Sequence, residues 1–163
     1  MAFDTFLKLD GIKGESVDSK HKDELEILSF SFGAANDLGG GRAGGGGGAG
    51  KVQFHDLHFV HRLDKASPRL LLACASGQHI KEATITVRKA GGQQLEYLKI
   101  KLTEVFVSSY QLGGSSQGGE ATPLGELSLN FVKLRMDYTE QNVKGGAGST
   151  TSMEWDLTKN KGK

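Results

Sequence analysis

Residues 45–51, ending in Lys51, match the spacing of a phosphate-binding loop, in which backbone amides ring the phosphate oxygens and a lysine neutralises the terminal ones. That chemistry requires a hydroxyl next, to hold magnesium, and then a helix. Here Val52 follows, in a β-type pattern. Gly114, Ser116 and Gly118 fit G-x-S-x-G, the spacing that lifts a nucleophilic serine onto a strand-to-helix turn, but neither a buried parallel strand nor a helix flanks them. His55, His58 and His61 recur every three residues with Asp56 and Asp64 nearby, donors that suit a metal ion. On a strand, His58 points opposite to His55 and His61, so the set does not converge. Cys74 and His79 supply a nucleophile and a base, yet Cys74 sits among Leu71, Leu72 and Ala73, where a small buried thiol is expected. Asp23, Glu24 and Glu26 read as the solvated start of a strand, not as a tuned acid pair. No enzymatic mechanism has its full set of parts, so the expectation is a chain that is not an enzyme and needs no metal or cofactor.

The elements that would position these groups are mostly strands. Phe3, Thr5, Leu7 and Leu9 share one face at period two, and Asp10, Gly11 and Gly14 then supply a turn. Leu25 and Ile27 have one parity, and Leu28, Phe30 and Phe32 the other; a one-residue slip of this kind is what a β-bulge produces. The same slip recurs between Val52, Phe54 and Leu57, Phe59, and again between Leu127, Leu129, Phe131 and Val132, Leu134, Met136. Bulges bend strands toward barrel closure. One short helix is expected, with Ser67 as N-cap, Pro68 at the first position, good helix formers from Leu70 to Ala75, and Gly77 as the stop. Ala83, Ile85 and Val87, a Gly91-Gly92 turn, then Leu98, Ile100, Leu102, Val105 and Val107 form a hairpin and its continuation. A polar loop at 113–119, a strand pair through Leu127 and Leu134, a flexible loop over 139–150, a last strand with Met153, Trp155 and Leu157, and a tail at 159–163 complete the order. The fold class is mainly β: an antiparallel β-barrel of two packed sheets, one flanking α-helix and an extended glycine-rich loop, in one domain spanning 1–163.

That loop, residues 38–50, contains nine glycines in thirteen residues. Glycine loses the most backbone entropy on folding, so the run cannot be core and its use lies outside the stability of the domain. Lysine and arginine total 20 against 19 acids, a formal charge of +1, which is not the basic footprint of a nucleic-acid binder. No apolar stretch reaches the roughly 18–20 residues that would insert in a bilayer, and the alternating start with Asp4 lacks the pattern of a cleaved signal peptide. A single cysteine, Cys74, excludes an internal disulfide and fits a reducing cytoplasm. Ser29 and Ser31 alternate with Phe30 and Phe32, Thr84 and Thr86 with Ile85 and Val87, and Ser128 and Asn130 with Leu129 and Phe131. These outer faces are small and polar. They are either ordinary solvated surface or a surface past which other molecules slide without sticking.

Residues 46–92, GGGAGKVQFHDLHFVHRLDKASPRLLLACASGQHIKEATITVRKAGG, together with MAFDTFLKLDGIKGES, LSFSFG and EYLKIKLTEVFVSSY, resemble the hemolysin-coregulated protein (Hcp) family, the tube protein of type VI secretion systems. The likeness weakens over 112–125 and after Tyr138. It implies a β-barrel subunit that forms homohexameric rings. The rings stack inside a contractile sheath on a baseplate and are expelled behind a VgrG-like spike protein, with effectors in the lumen. It also implies a cytoplasmic protein that the machine itself carries out of the cell, without a cleaved signal. Within that frame Ser31 is expected to face the lumen and touch cargo, and Gly46, Gly47 and Gly48 to make the ring-to-ring contact. The alternative from the residues alone is a monomeric β-barrel binding a small ligand between its glycine loops.

Overall fold

The apolar alternation that opens the chain forms β1 (Phe3–Leu9), in which Leu7 and Leu9 face inward. The strand lies between β2 (Leu25–Ser31) and β6 (Ile80–Lys89), antiparallel to both, with Thr5 opposite Ile27 and Val87. The structure is a computed structural model and describes residues 2–36, 51–119 and 121–163. The remaining elements are β3 (Ala34–Asn36), β4 (Val52–Phe54), β5 (Leu57–Arg62), α1 (Ser67–Ser76), β7 (Glu96–Gly113), β8 (Leu124–Asn130), β9 (Lys133–Gln141), β10 (Ala147–Asp156) and β11 (Lys161–Gly162). Strands pair in the order β7-β6-β1-β2-β5-β8, and β8 pairs back onto β7, so six strands close a barrel. Its interior is filled by Leu7, Leu25, Phe59, Ile85, Leu127 and Leu129, all fully buried. Burying each such side chain stabilises the fold by about 1.5–3 kcal/mol. Among the described residues no helix is long and apolar enough to cross a membrane.

The long strand β7 makes closure possible because its two halves serve different neighbours. Leu98 to Thr103 pair with β9, whereas Phe106 to Gly113 pair with β8. Glu104, between the halves, takes φ +57°, a left-handed conformation that kinks the strand. β9, β10 and β11 extend the sheet outward from the barrel.

Of the three expected parity slips, the first is a bulge, with the β2–β5 register shifting between Ile27 and Ser29. The second is a break: Val52–Phe54 pairs with Ala34–Asn36 in a separate two-stranded sheet, and Leu57 begins a new strand in the barrel. The third is also a break, between β8 and β9, where both run beside β7 and Val132 donates its N–H to the Thr103 carbonyl. Bulge and break look alike in sequence because each reverses the side-chain parity.

The helix stands where expected but its cap differs. Ala66 occupies the N-cap position with no side-chain cap, and Ser67 is the first helical residue. The reason is Asp64, whose carboxylate accepts the Ala66 N–H at 2.9 Å while its own N–H is taken by the Ser67 hydroxyl at 3.1 Å. Gly77 at φ +66° ends the helix, a conformation only glycine adopts at no steric cost. Cys74 is half-buried rather than buried.

Residues 139–150, expected as a flexible loop, are the ends of β9 and β10 and the turn between them. The Asn142 side chain organises that turn by accepting the N–H groups of Lys144 and Gly146 at 3.0 and 2.9 Å. The tail likewise contains β11, since Glu154 and Lys163 exchange both backbone hydrogen bonds. The glycine-rich run at 38–50 lies outside the described residues.

The outer face of β1 and β6 is covered around Phe6, Thr86 and Arg88. The segment between β1 and β2 folds over it as a small ladder, with Gly14 N–H to Asp23 O, Asp23 N–H to Ser16 O and Ser16 N–H to Glu24 O. Beneath it Phe6, Thr86 and Arg88 are buried, so Thr86 is not part of a polar surface. His21 stacks on Phe6 at 4.5 Å and bonds Glu24 and Glu96 through its two ring nitrogens, which makes Glu24 a buried partner and not a solvated one. Arg88 binds Asp18 with two bonds and lies 4.8 Å from the Phe6 centroid. It holds the Asp18 carboxyl down to about 2, well below the usual carboxylate range.

Candidate functional site

The second polar face, on β2, β5, β8 and the far half of β7, is built as the alternation requires. Cross-strand register aligns Ser31 with His58, His58 with Ser128, and Ser128 with Ser109. The next row aligns Ser29 with Val60, Val60 with Glu126, and Glu126 with Gln111. Because successive side chains point to opposite sides, Phe59, Leu127 and Leu129 enter the core while these rows face outward. Ser29, Ser31, Ser109 and Gln111 are exposed, and His58 and Ser128 are half-buried and joined by a 3.2 Å hydrogen bond at His58 Nδ1. At one end of the face, Asp56 accepts from the Ser108 hydroxyl at 2.6 Å and from the Asn130 amide at 3.1 Å. Its charge is thereby tied into the sheet rather than offered to passing groups. What remains is a shallow surface of hydroxyls with one imidazole, the Gln111 amide and the exposed Glu126 carboxylate. It can form weak polar contacts.

Ser31 is exposed on this surface, at the end of β2. Gly46, Gly47 and Gly48 lie outside the described residues, as does most of the phosphate-loop-like stretch 45–51. Gly114, Ser116 and Gly118 lie in an exposed loop after β7. His55, His58 and His61 do not come together: His58 faces outward and His61 is fully buried.

One buried cluster escaped the sequence reading. His61 Nε2 is 3.2 Å from the Tyr110 hydroxyl, and its Nδ1 lies 3.9 Å from an Asp64 carboxylate oxygen with no hydrogen-bond partner among the described residues. Burial pushes protonation of His61 down and that of Asp64 up. The row resembles an acid–base relay in composition, but His61 has no exposed surface. Gly125 makes the arrangement possible, since a Cβ there would stand 2.6 Å from His61 Nε2 and 2.8 Å from the Tyr110 oxygen. A glycine inside the alternating run LGELSLN was the available signal, because in a strand it marks close approach by another group.

Residues 6–138 match the family model described as type VI secretion system effector, Hcp. This chain belongs to the Hcp family. It is 44% identical over 162 residues to the protein Hcp1 of Pseudomonas aeruginosa, covering 98% of each. A structure of a type six secretion system protein superposes with a TM-score of 0.92 at 33% identity, over 99% of this chain and 100% of the other. Hcp1 from Salmonella typhimurium superposes with a TM-score of 0.80 at 37% identity over the full length of both. The match reaches across the barrel and the β9–β11 extension, so the polar face of this Hcp chain stands on the scaffold its relatives share.

Proposed function

We propose that the chain is the structural subunit of a type VI secretion inner tube, in which six copies close into a ring, rings stack, and the stack is expelled with effectors in its lumen. Family membership supports the general role, and the observation that carries the finer reading is the hydroxyl-rich face that includes Ser31. A conduit wall must contact cargo without retaining it. Small neutral groups do so, because each neutral hydrogen bond exchanges with water for a net gain of only about 1 kcal/mol. Ring formation is a head-to-tail contact between two different patches, and each copy is then held on both sides. The partners of such a tube are the spike protein at its tip, the sheath and baseplate around it, and the effectors inside. The subunit works by assembly and not by catalysis, starting in the cytoplasm and leaving with the machine. Gly46, Gly47 and Gly48 would contact the next ring, and ordering them at that step would keep stacking weak.

Native mass spectrometry of the purified chain, followed by electron microscopy of the same sample, tests the assembly. The expected result is a hexamer with six-fold rings; a monomer at all concentrations would refute it. Replacing Ser31 with glutamine tests the lumen assignment: rings should persist while retention of a co-expressed effector falls, and unchanged retention sinks the assignment. Deleting Gly46, Gly47 and Gly48 should spare rings and abolish long tubes, so tubes that still grow would remove the inter-ring role.

A further inference from the structure

β10 is an edge strand for most of its length. β11 pairs only with Trp155 and Asp156, and its last contact is the reciprocal pair between Glu154 and Lys163, at 2.8 and 3.1 Å. In an antiparallel strand the N–H and C=O of alternate residues point to the same side. Glu154 points to β11, so Ser152 and Thr150 point the same way, where no described strand lies beyond them; Thr151 and Met153 point to β9. Thr150, Thr151 and Ser152 are exposed, and residues 147–153 contain no charge and no proline. Open edges are ordinarily guarded by lysine, proline or a bulge. The only such device here is a register shift between Ala147 and Thr150, which leaves Thr150 to Ser152 regular.

Among the described residues there is a further unguarded edge, on β3. β3 pairs on one side with β4, and its three residues, Ala34, Ala35 and Asn36, are all exposed and uncharged. Two different open edges on one chain are what a head-to-tail contact between copies requires. We propose that the open edge of β10 takes the β3 edge of a second copy, so that main-chain hydrogen bonding continues across the subunit boundary. This inference rests on the ring reading and specifies one of its interfaces.

The test uses the full chain with Thr150→Pro and Thr150→Ala. The Thr150 N–H faces outward, so proline removes no hydrogen bond to β9, and both variants lose the same Thr139 hydroxyl contact. Thr150→Ala should assemble like the parent, whereas Thr150→Pro should raise the concentration at half-assembly at least tenfold in analytical ultracentrifugation. Hydrogen exchange on the parent gives an independent reading that does not depend on the variant folding. The Thr150 and Ser152 amides should exchange slowly in rings and rapidly in dilute monomer. Equal assembly of parent and Thr150→Pro, or equal exchange in ring and monomer, overturns the inference while leaving the ring intact. A parent chain that never assembles overturns the ring reading as well, so the two failures are distinct.

Discussion

Gly125→Ala tests whether the buried His61–Tyr110 contact sets the tolerance of the barrel end. The added Cβ would lie 2.6 Å from His61 Nε2, 2.8 Å from the Tyr110 hydroxyl oxygen and 3.1 Å from His61 Cδ2. Real Cβ contacts are longer, so one ring must move. His61 has no exposed surface and is enclosed on all sides, whereas Tyr110 is half-buried and has somewhere to go. Overpacking of this kind costs about 1–3 kcal/mol, and losing the hydroxyl–imidazole bond adds about 1 kcal/mol. The sum, about 2–4 kcal/mol, lowers the thermal midpoint of a chain this size by roughly 5–15 °C. Unfolding should be followed at one low protein concentration, because assembly shifts apparent stability by mass action. The double variant Gly125→Ala, Tyr110→Phe removes the oxygen that the new methyl strikes, so it should be more stable than the sum of the single changes by about 1 kcal/mol or more. A Gly125→Ala chain within about 0.5 kcal/mol of the parent, or strictly additive single changes, would refute the reasoning.

Protonation of His61 is depressed by burial from an ordinary 6.5, so its contribution to stability is complete above that value and is lost as pH falls below it. His61→Gln should therefore flatten the decline in denaturation midpoint between about pH 7.5 and about pH 5.5; an unchanged slope contradicts the assignment. Asp64, raised from 3.8 by burial, has the opposite sign, contributing below 3.8 and losing that contribution as pH rises through its folded value. Asp64→Asn, which keeps an acceptor for the Ala66 N–H, should consequently be no less stable than the parent at neutral pH in the same assay. The Arg88 guanidinium lowers Asp18 from 3.8 to about 2, so that contribution is present above 3.8 and disappears toward pH 2. Asp18→Asn should remove this part of the acid transition as read by tryptophan fluorescence. Gly77→Ala, placed at φ +66°, should cost about 1 kcal/mol, a drop of roughly 2–4 °C in thermal midpoint.

The barrel was legible because its information is local and repeated. Leu7 and Leu9, Ile85 and Val87, and Leu127 and Leu129 each announce a strand with one buried face, and the Gly91-Gly92 pair fixes the hairpin between β6 and β7. Ser31 on an outward face was legible for the same reason, because parity assigns sides. The cap of α1 was not, because Ser67 turns its hydroxyl back to the Asp64 N–H while the Asp64 carboxylate takes the Ala66 N–H, and only the path of the chain decides this. The covered face was missed for a related reason. Thr86 and Arg88 have the outward parity of surface residues, and nothing local says that the segment carrying Asp18 and His21 closes over them. The partners are separated by 70 residues in the Arg88–Asp18 pair and 75 in His21–Glu96, a distance over which spacing conveys nothing. The turn at 142–146 was hidden by its composition. Val143, Lys144 and two glycines read as a flexible loop until the Asn142 side chain is seen to accept the Lys144 and Gly146 N–H groups.

Symmetry changes what the polar face must do. In the proposed six-membered ring every substitution on it would occur six times around one lumen, so a contact too weak to matter in a monomer would be multiplied. A gain of about 0.5 kcal/mol per subunit, shared by all six, amounts to about 3 kcal/mol, or roughly a hundredfold in cargo retention. Selection against such gains favours groups whose individual contacts are small, which is how Ser29, Ser31, Ser109 and Ser128 behave. One charge on that face is bound to the wall, since Ser108 and Asn130 bind Asp56, whereas Glu126 stands exposed on it. Asp56→Ala leaves two donors unpaired but adds no charge, whereas Asn130→Ala frees part of the Asp56 carboxylate on that face. Release of a basic effector should therefore slow in Asn130→Ala and not in Asp56→Ala, measured as dissociation from purified rings. The difference should vanish at high salt, where exposed charge is screened. Equal release from both variants at low salt would show that the tether on Asp56 serves the fold alone.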